Sequence, residues 1–346
     1  MGCAQSYIDA SSRASTASSV DTSRKSDAWA RPEEAEELEH LAEAATDAAL
    51  ADKLQLNQQP ASATSPRASP HGADAHNDWD GVAATVPHDQ GYLIYPPYTL
   101  AKARALYSHL RRSRARIVSR RCLYEMLIAA CRLLDDERNA DGGCVHKLPT
   151  PKAGKRLLVC GDTHGQLQDV LHIFDRHGLP APDNSYLFNG DIADRGSYAV
   201  EIFALLLAFK LAAPTTLHIN RGNHEQRDLN ERPLFNGGGF AWEVRGKYPH
   251  DEKLIDLFQH LFLQLPLATC VGNWALVIHG GLFRAEEVTL AELNAVESRR
   301  QPPSLVATRE DSILFDALWA DPFAGSAVVH SGPRGGVSIP SGHAGA

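Results

Sequence analysis

The sequence predicts an α/β fold, and three observations carry that prediction. Short apolar runs stop at polar, glycine-bearing clusters at residues 156–160, 185–189 and 215–219. Two of these runs lead into helical stretches: residues 166–177 carry Leu167, Val170, Leu171 and Phe174 at helical spacing, and residues 198–212 are almost continuously apolar. A fourth run, residues 274–278, ends in His279-Gly280-Gly281. A five-residue apolar run that stops at glycine is a buried strand, whereas apolar positions repeating at i, i+3, i+4 and i+7 form a helix face.

Composition narrows the class. Among 346 residues, 43% are hydrophobic and 22% charged, which is ordinary for a globular chain. The 34 basic and 42 acidic residues give a net charge of -8, so no nucleic-acid partner is expected. Six cysteines (Cys3, Cys122, Cys131, Cys144, Cys160 and Cys270) form no CxxC pair, and no apolar leader opens the chain; both suit a reducing, intracellular compartment. The longest apolar stretch, residues 202–209, falls short of the roughly 20 residues that span a bilayer.

The chain opens Met-Gly-Cys-Ala-Gln-Ser, an acceptor pattern for N-myristoylation at Gly2 with Cys3 beside it for a second acyl chain. One myristoyl group binds membranes marginally; a second makes attachment stable, since each buried methylene contributes about 0.8 kcal/mol. The expected location is therefore an intracellular membrane surface, or the cytoplasm if the chain is not acylated. Residues 1–90 form a largely disordered region: 11–26 and 58–88 are rich in Ser, Ala, Thr and Pro and read as linkers, and between them an acidic helix is expected near 32–56, with eight carboxylates against two basic residues over 31–53. Its apolar positions admit a docking role or a solvated spacer. Residues 102–121 hold eight basic and no acidic side chains on expected helices. That charge suits either anionic lipid or the solvated side of helices packed on the domain; the core face continued by Leu123, Met126, Leu127 and Ala130 favours the second. No internal repeat is visible.

Residues 91–346 carry the chemistry. In sheets of this kind ligands gather at the carboxyl ends of strands. Four strand ends deliver Asp162, His164, Asp191, Asp194, Asn223, His224 and His279 to one place. Carboxylate, imidazole and amide oxygen together suit Mn, Fe or Zn.

The motifs Gly-Asp-Thr-His-Gly-Gln, Gly-Asp-Ile-Ala-Asp-Arg-Gly, Arg-Gly-Asn-His-Glu and His-Gly-Gly resemble the signature set of the phosphoprotein phosphatases, within the calcineurin-like metallophosphoesterases. Leu265-Pro266-Leu267-Ala268, Arg300-Gln301-Pro302-Pro303 and Leu318-Trp319-Ala320-Asp321-Pro322 are most similar to the type 5 branch, over roughly residues 91–338; the helical-repeat module typical of that branch is not seen. The resemblance implies a four-layer α/β/β/α sandwich and a protein serine/threonine phosphatase acting on phosphoserine and phosphothreonine proteins. It implies two divalent ions: Asp162 and His164 as ligands of the first, Asp191 as the bridging carboxylate, Asn223 and His279 as ligands of the second. His224 resembles the general acid oriented by Asp194, and Arg195 and Arg334 the phosphate clamps. Two ions a few ångströms apart activate a bridging water for in-line attack while arginines neutralise the phosphoryl oxygens.

The sequence departs from the family pattern in two places. After Ser338 the further histidine and closing strands of the family are not found, so the domain is expected to be incomplete at its C-terminus, with a weakened second metal and low activity; His343, on a Gly/Pro/Ser tail, is a poor replacement. Residues 230–244 replace a shorter family segment, and their glycine run implies a longer, mobile loop. The rival readings are a catalytically impaired, membrane-tethered binding module and another metallophosphoesterase chemistry, such as dinucleotide polyphosphate hydrolysis.

Overall fold

The structure, a computed structural model, describes residues 78–87, 89–112, 117–234, 238–323, 329–330 and 337–340, with side chains up to residue 321. Gly2, Cys3, the acidic segment 32–56, Arg334 and His343 lie outside the described residues.

The described part begins with a helix where composition reads a linker. Helix α1 (Trp79–Thr85) is capped by Asp78, whose carboxylate accepts from the Gly81 N–H at 2.8 Å. Ala83 and Val86 are buried, and Trp79 and Val82 pack on the same core. The linker reading of 58–88 is thus corrected at its end: an aspartate followed by apolar positions at helical spacing outweighs the polar average of the window.

Helices α2 (Leu100–Arg112) and α3 (Arg120–Asp141) follow; α3 stops at Gly142, which adopts the left-handed conformation at φ 73°. Leu106, Leu110, Leu123, Met126, Leu127 and Ala130 are buried on these helices, whereas Val118 is buried between them, in a bridge with Tyr92, and Ile117 is exposed. Several of the basic residues between 102 and 121 are partnered within the domain. Lys102 Nζ donates to the carbonyls of Tyr95 and Pro97, Arg111 pairs with Asp175, Arg120 with Asp251 and Arg121 with Glu125.

Two sheets build the centre. Strands β2 (Arg156–Cys160), β3 (Asn184–Phe188) and β4 (Leu217–Ile219) are parallel, in the order β2-β3-β4. Strand β1 (Val145–Leu148) pairs parallel with β5 (Ala268–Val271), which pairs antiparallel with β6 (Ala275–Ile278). Alternate side chains of a strand face opposite ways. Leu157, Val159, Leu187, Leu148, Val271, Ala275 and Val277 accordingly meet between the sheets. Cys160, Tyr186, Phe188, Leu217 and Ile219 face a large helical layer. Val145, Ala268, Leu276 and Ile278 face α9 (Leu290–Ala295) and α10 (Arg309–Trp319). The order helices, sheet, sheet, helices is the four-layer α/β/β/α sandwich.

The large layer holds α4 (Leu167–His177), α5 (Ala199–Ala212), the one-turn α6 (Arg227–Asn230), α7 (Phe240–Lys247) and α8 (Glu252–Gln264). Helix α5 is apolar all round because it is buried all round, from Ala199 to Lys210. Its Lys210 is held by Glu137 at 2.7 Å. A third small sheet, in the order β7-β9-β8, is formed by β7 (Asp321–Phe323), β8 (Val329–His330) and β9 (Val337–Pro340). Among the described residues no helix is long and apolar enough to cross a membrane.

A polar contact between histidines joins β1 of one central sheet to β4 of the other. His146 Nε2 lies 3.1 Å from His218 Nδ1, and His146 Nδ1 lies 2.6 Å from Asp141. Burial, with Lys210 and His146 nearby, pulls the His218 pKa down from 6.5 to about 3. Between those values the unfolded chain binds a proton that the folded one does not. Stability should therefore fall as pH drops from 6.5 toward 3, with a slope of at most roughly 1.4 kcal/mol per pH unit from this group. Urea midpoints measured against pH in a chelator should be flatter for His218→Gln than for the parent chain; parallel profiles would show that His218 is not responsible.

Candidate active site

The loops after β2, β3 and β4 leave the same end of one parallel sheet, and the loop after β6 meets them from the second sheet, across the sandwich. The loops after β3 and β4 approach each other closely at the backbone. A Cβ at Gly190 would stand 2.4 Å from the Gly222 backbone nitrogen, and one at Gly222 would stand 2.3 Å from that of Asp191. His164, Asp191, Asp194 and Arg195 all have positive φ, at 41°, 50°, 67° and 69°. Non-glycine residues hold that conformation only where their surroundings over-determine it.

Asp191 is the centre of the site. It is 3% exposed, and its two carboxylate oxygens face different imidazoles: Oδ2 lies 3.5 Å from His164 Nε2, and Oδ1 lies 3.3 Å from His279 Nε2. Each histidine turns its Nδ1 to a backbone carbonyl, His164 to Ala193 at 2.8 Å and His279 to Asn189 at 2.7 Å. A carbonyl only accepts, so each Nδ1 carries a hydrogen; in a neutral ring Nε2 then presents its lone pair, whereas His279 Nε2, which faces the oxygens of Asp191 and Asn223, carries a hydrogen as well when the ring is charged. This is the arrangement that orients imidazole ligands toward metals. Asn223 Oδ1 lies 2.9 Å from His279 Nε2, and the half-exposed Asp162 lies 3.9 Å from His164 Nε2 and 4.0 Å from His279 Nδ1.

The two imidazoles shift in opposite directions, although burial opposes the charged form of both. For His164 burial dominates and lowers the pKa despite Asp191. For His279 burial also opposes the charged form, but Asp191, the Asn189 carbonyl and Asp162 outweigh it and raise the pKa. The residues fit a divalent ion. Two sets of ligand atoms, His164–Asp191–His224 and Asp162–Asp191–His279, each lie within 4.8 Å of one another. His164 Nε2 is also buried without a hydrogen-bond partner, the condition of a ligand atom awaiting a cation.

Beside this cluster stands a second arrangement. His224 Nδ1 and Asp194 Oδ2 are 2.7 Å apart, and the backbone N–H of His224 donates to Asp191 Oδ1 at 2.9 Å. The exposed Arg195 brings Nη2 to 3.5 Å from His224 Nε2. A guanidinium in that position disfavours a second cation on the same nitrogen, which argues against a ligand role for His224 although it falls in one of the sets.

The structure thus brings together Asp162, His164, Asp191, Asp194, Arg195, Asn223, His224 and His279; Arg334 lies outside the described residues. Sequence reasoning missed Glu225. Its buried carboxylate accepts four backbone N–H groups: Oε2 from Asp191 and Gly222, each at 2.8 Å, and Oε1 from Ile192 at 2.9 Å and Ala193 at 3.1 Å. It welds the loop after β3 to the loop after β4. Burial and the Asp191 charge push its carboxyl up, against the pull of those N–H groups. Arg221, also fully buried, donates to the carbonyls of Glu225, Ser298 and Arg300, and burial lowers it to about 10. Both residues belong to the Arg-Gly-Asn-His-Glu motif, which was the available signal.

Replacing Glu225 by glutamine turns one acceptor oxygen into a donor that faces N–H groups, and an unpaired buried donor costs about 1–3 kcal/mol. Glu225→Gln should lower the unfolding midpoint and weaken metal binding, by about 10–100-fold if Asp191 shifts. Calorimetry with and without manganese checks this. A metal-induced rise in Tm equal to that of the parent would show that the clamp does not position Asp191.

The segment 230–244 is tied down at both ends. Asn230 Nδ2 and the Phe240 backbone N–H both donate to Asp194 Oδ1, at 3.0 and 2.6 Å. The ring of Phe240 is packed among Phe203, Phe258 and Phe262, with centroids 6.0, 4.9 and 5.6 Å away, which fixes the backbone beside it. The glycine run expected to be a mobile loop falls partly on residues 235–237, outside the described ones.

A four-layer sandwich with a carboxylate between two oriented imidazoles at crossed strand ends defines a metal-dependent phosphoesterase class. The family model described as calcineurin-like phosphoesterase matches residues 155–345, more than half of the chain, and the chain belongs to that family. Within it the chain falls in the type 5 branch of the phosphoprotein phosphatases. Serine/threonine-protein phosphatase 5 of Arabidopsis thaliana is 43% identical over 169 residues, 49% of this chain and 29% of that protein. Serine/threonine-protein phosphatase 5 of Homo sapiens is 39% identical over 203 residues, 59% of this chain and 37% of that protein. The chain therefore spans about a third of the length of these two relatives. A solved structure of a protein serine/threonine phosphatase from Saccharomyces cerevisiae, with similarity to human phosphatase PP5, aligns at a TM-score of 0.59 and 30% identity, covering 68% of this chain and 70% of that one.

Proposed function

We propose that the protein hydrolyses phosphoserine and phosphothreonine esters on proteins with two divalent ions, at a membrane surface to which acyl chains on Gly2 and Cys3 attach it. The observation that carries the catalytic reading is the Asp191 carboxylate set between the Nε2 atoms of His164 and His279, beside the His224–Asp194 pair. Asp162, His164 and Asp191 would hold one ion, and Asp191, Asn223 and His279 the other; Mn, Fe or Zn suits these ligands. Bound there, the ions supply Lewis-acid polarisation of the phosphoryl group and an acidified water. Arg195, exposed at the mouth, binds phosphoryl oxygens, and His224 protonates the leaving seryl or threonyl oxygen while Asp194 holds its ring. The relatives named protein phosphatases support this substrate class.

The test is turnover by the manganese-loaded chain on phosphoserine, phosphothreonine and phosphotyrosine peptides and on a dinucleotide polyphosphate. Preference for the first two supports the proposal. Preference for the polyphosphate assigns another phosphoesterase chemistry, and metal binding without turnover assigns a binding module.

For the tether, Gly2→Ala should move the chain from membrane to soluble fractions, while Cys3→Ser should leave it weakly and reversibly bound, since one acyl chain gives only marginal affinity. Gly2→Ala retained on membranes would assign the anchor to another part of the chain.

A further inference from the structure

The His224–Asp194 pair is held by a set of amides whose orientation can be derived. Asp194 Oδ2 faces His224 Nδ1 at 2.7 Å, and Asp194 Oδ1 accepts from the Phe240 N–H at 2.6 Å and from Asn230 Nδ2 at 3.0 Å. The same Asn230 nitrogen donates its other hydrogen to the backbone carbonyl of His224 at 2.7 Å. A carboxylate and a carbonyl both accept only, so Asn230 must present nitrogen to them. Its oxygen is turned the other way, where Gln259 Nε2 donates to it at 2.7 Å. Asn230 is fully buried and Gln259 is 3% exposed.

Gln259 follows Phe258 on α8, the helix that also supplies Phe262 to the aromatic cluster around Phe240. Its own carbonyl oxygen has no partner. An amide in that setting carries a desolvation cost that an apolar side chain of similar volume avoids. What it supplies in return is the donor to the Asn230 oxygen, the third contact on an amide whose nitrogen already serves Asp194 and His224. Without that donor the Asn230 oxygen is buried with one partner fewer, and the amide loses the contact that holds its plane from the side of α8.

We propose that Asn230, locked by Gln259, is a positioning residue that fixes the Asp194 carboxylate and through it the ring of His224. The relay runs from α8 through α6 to the loops after β3 and β4, and neither amide lies within hydrogen-bond reach of Asp162, His164 or His279 in the bonds described. Its effect on rate rests on the reading of His224 as the proton donor. Its effect on the geometry of the pair does not.

The test uses the full metal-loaded chain and two variants, Gln259→Met, which keeps volume and removes the donor, and Asn230→Asp, which removes both donors to the pair. On a phosphoserine peptide Gln259→Met should lower kcat about tenfold with KM and metal content unchanged, and Asn230→Asp should lower it further, because misplacing a catalytic group acts on the transition state. In the zinc-loaded chain the downfield imidazole N–H resonance of His224, assigned by its loss in His224→Asn, should shift or broaden in Gln259→Met. An unchanged resonance in folded Gln259→Met overturns the proposal, as does a kcat that falls only in step with metal content or folded fraction. Gln259→Met alone decides if Asn230→Asp does not fold. If the parent chain turns over no phosphopeptide, the catalytic reading fails and the resonance still decides the relay.

Discussion

Replacing His224 by asparagine is expected to lower kcat about a thousandfold while leaving KM nearly unchanged. An acid that protonates the leaving oxygen acts only in the transition state, so its removal spares ground-state binding. The geometry supports that assignment in two ways. His224 Nδ1 is engaged by Asp194 at 2.7 Å, so Nε2, on the side of Arg195, is the atom that would deliver a proton. Arg195 Nη2 stands 3.5 Å from that Nε2, so a phosphoryl group held by the guanidinium would lie beside the donor. The neighbouring alternative is a ligand role, since His224 falls within 4.8 Å of the His164 and Asp191 ligand atoms. Metal content decides between them: His224→Asn should bind as much manganese as the parent chain. A parallel loss of metal and rate, or a change in KM alone, would remove His224 from the acid role. Asp194→Asn should lower kcat in the same direction. Two donors, from Phe240 and Asn230, would claim the amide oxygen and turn its nitrogen toward His224 Nδ1, reversing the tautomer.

The candidate ligand residues were legible because each follows an apolar run that ends abruptly. Asp162 and His164 come after β2, Asp191 after β3, Asn223 after β4 and His279 after β6, and glycine punctuates each turn. What the pattern does not contain is that β6 belongs to the second sheet, antiparallel to β5, so that His279 reaches Asp191 across the sandwich and not along one sheet edge. Periodicity reports which face a strand buries; it carries no information on which sheet a strand joins. Glu225 escaped for a different reason. Its partners are four backbone N–H groups, which have no signature in side-chain chemistry. Asn230 and Gln259 are amides on helices, outside any motif, and their meeting depends on how α6 and α8 pack. Helix α1 was hidden by averaging: Trp79, Val82, Ala83 and Val86 have helical spacing, but the window around them is rich in polar residues. The long apolar stretch of α5 was read correctly as a helix because it exceeds the length of a buried strand.

Asp191→Asn is expected to remove most of the bound metal, weakening it on the order of a hundredfold or more, since disturbing groups that merely orient ligands already costs 10–100-fold. Asparagine keeps the shape of the side chain and one acceptor oxygen. It removes the charge, and with it the second oxygen that lets Asp191 face both His164 and His279. The remaining acceptor would be drawn toward the His224 N–H, which Asp191 Oδ1 now accepts at 2.9 Å, leaving an NH2 group turned toward His164 Nε2. That places a donor where a cation should sit. The metal-free fold should not suffer in proportion, because Asp191 is a carboxylate buried among groups arranged for an ion, and the loops on either side stay tied through Glu225. Elemental analysis after gel filtration should therefore show metal well below that of the parent, and added manganese should raise Tm less, while the Tm measured in a chelator is equal or higher. Metal content equal to the parent would mean that the cluster around Asp191 is not the metal centre, and the phosphatase reading would fall with it.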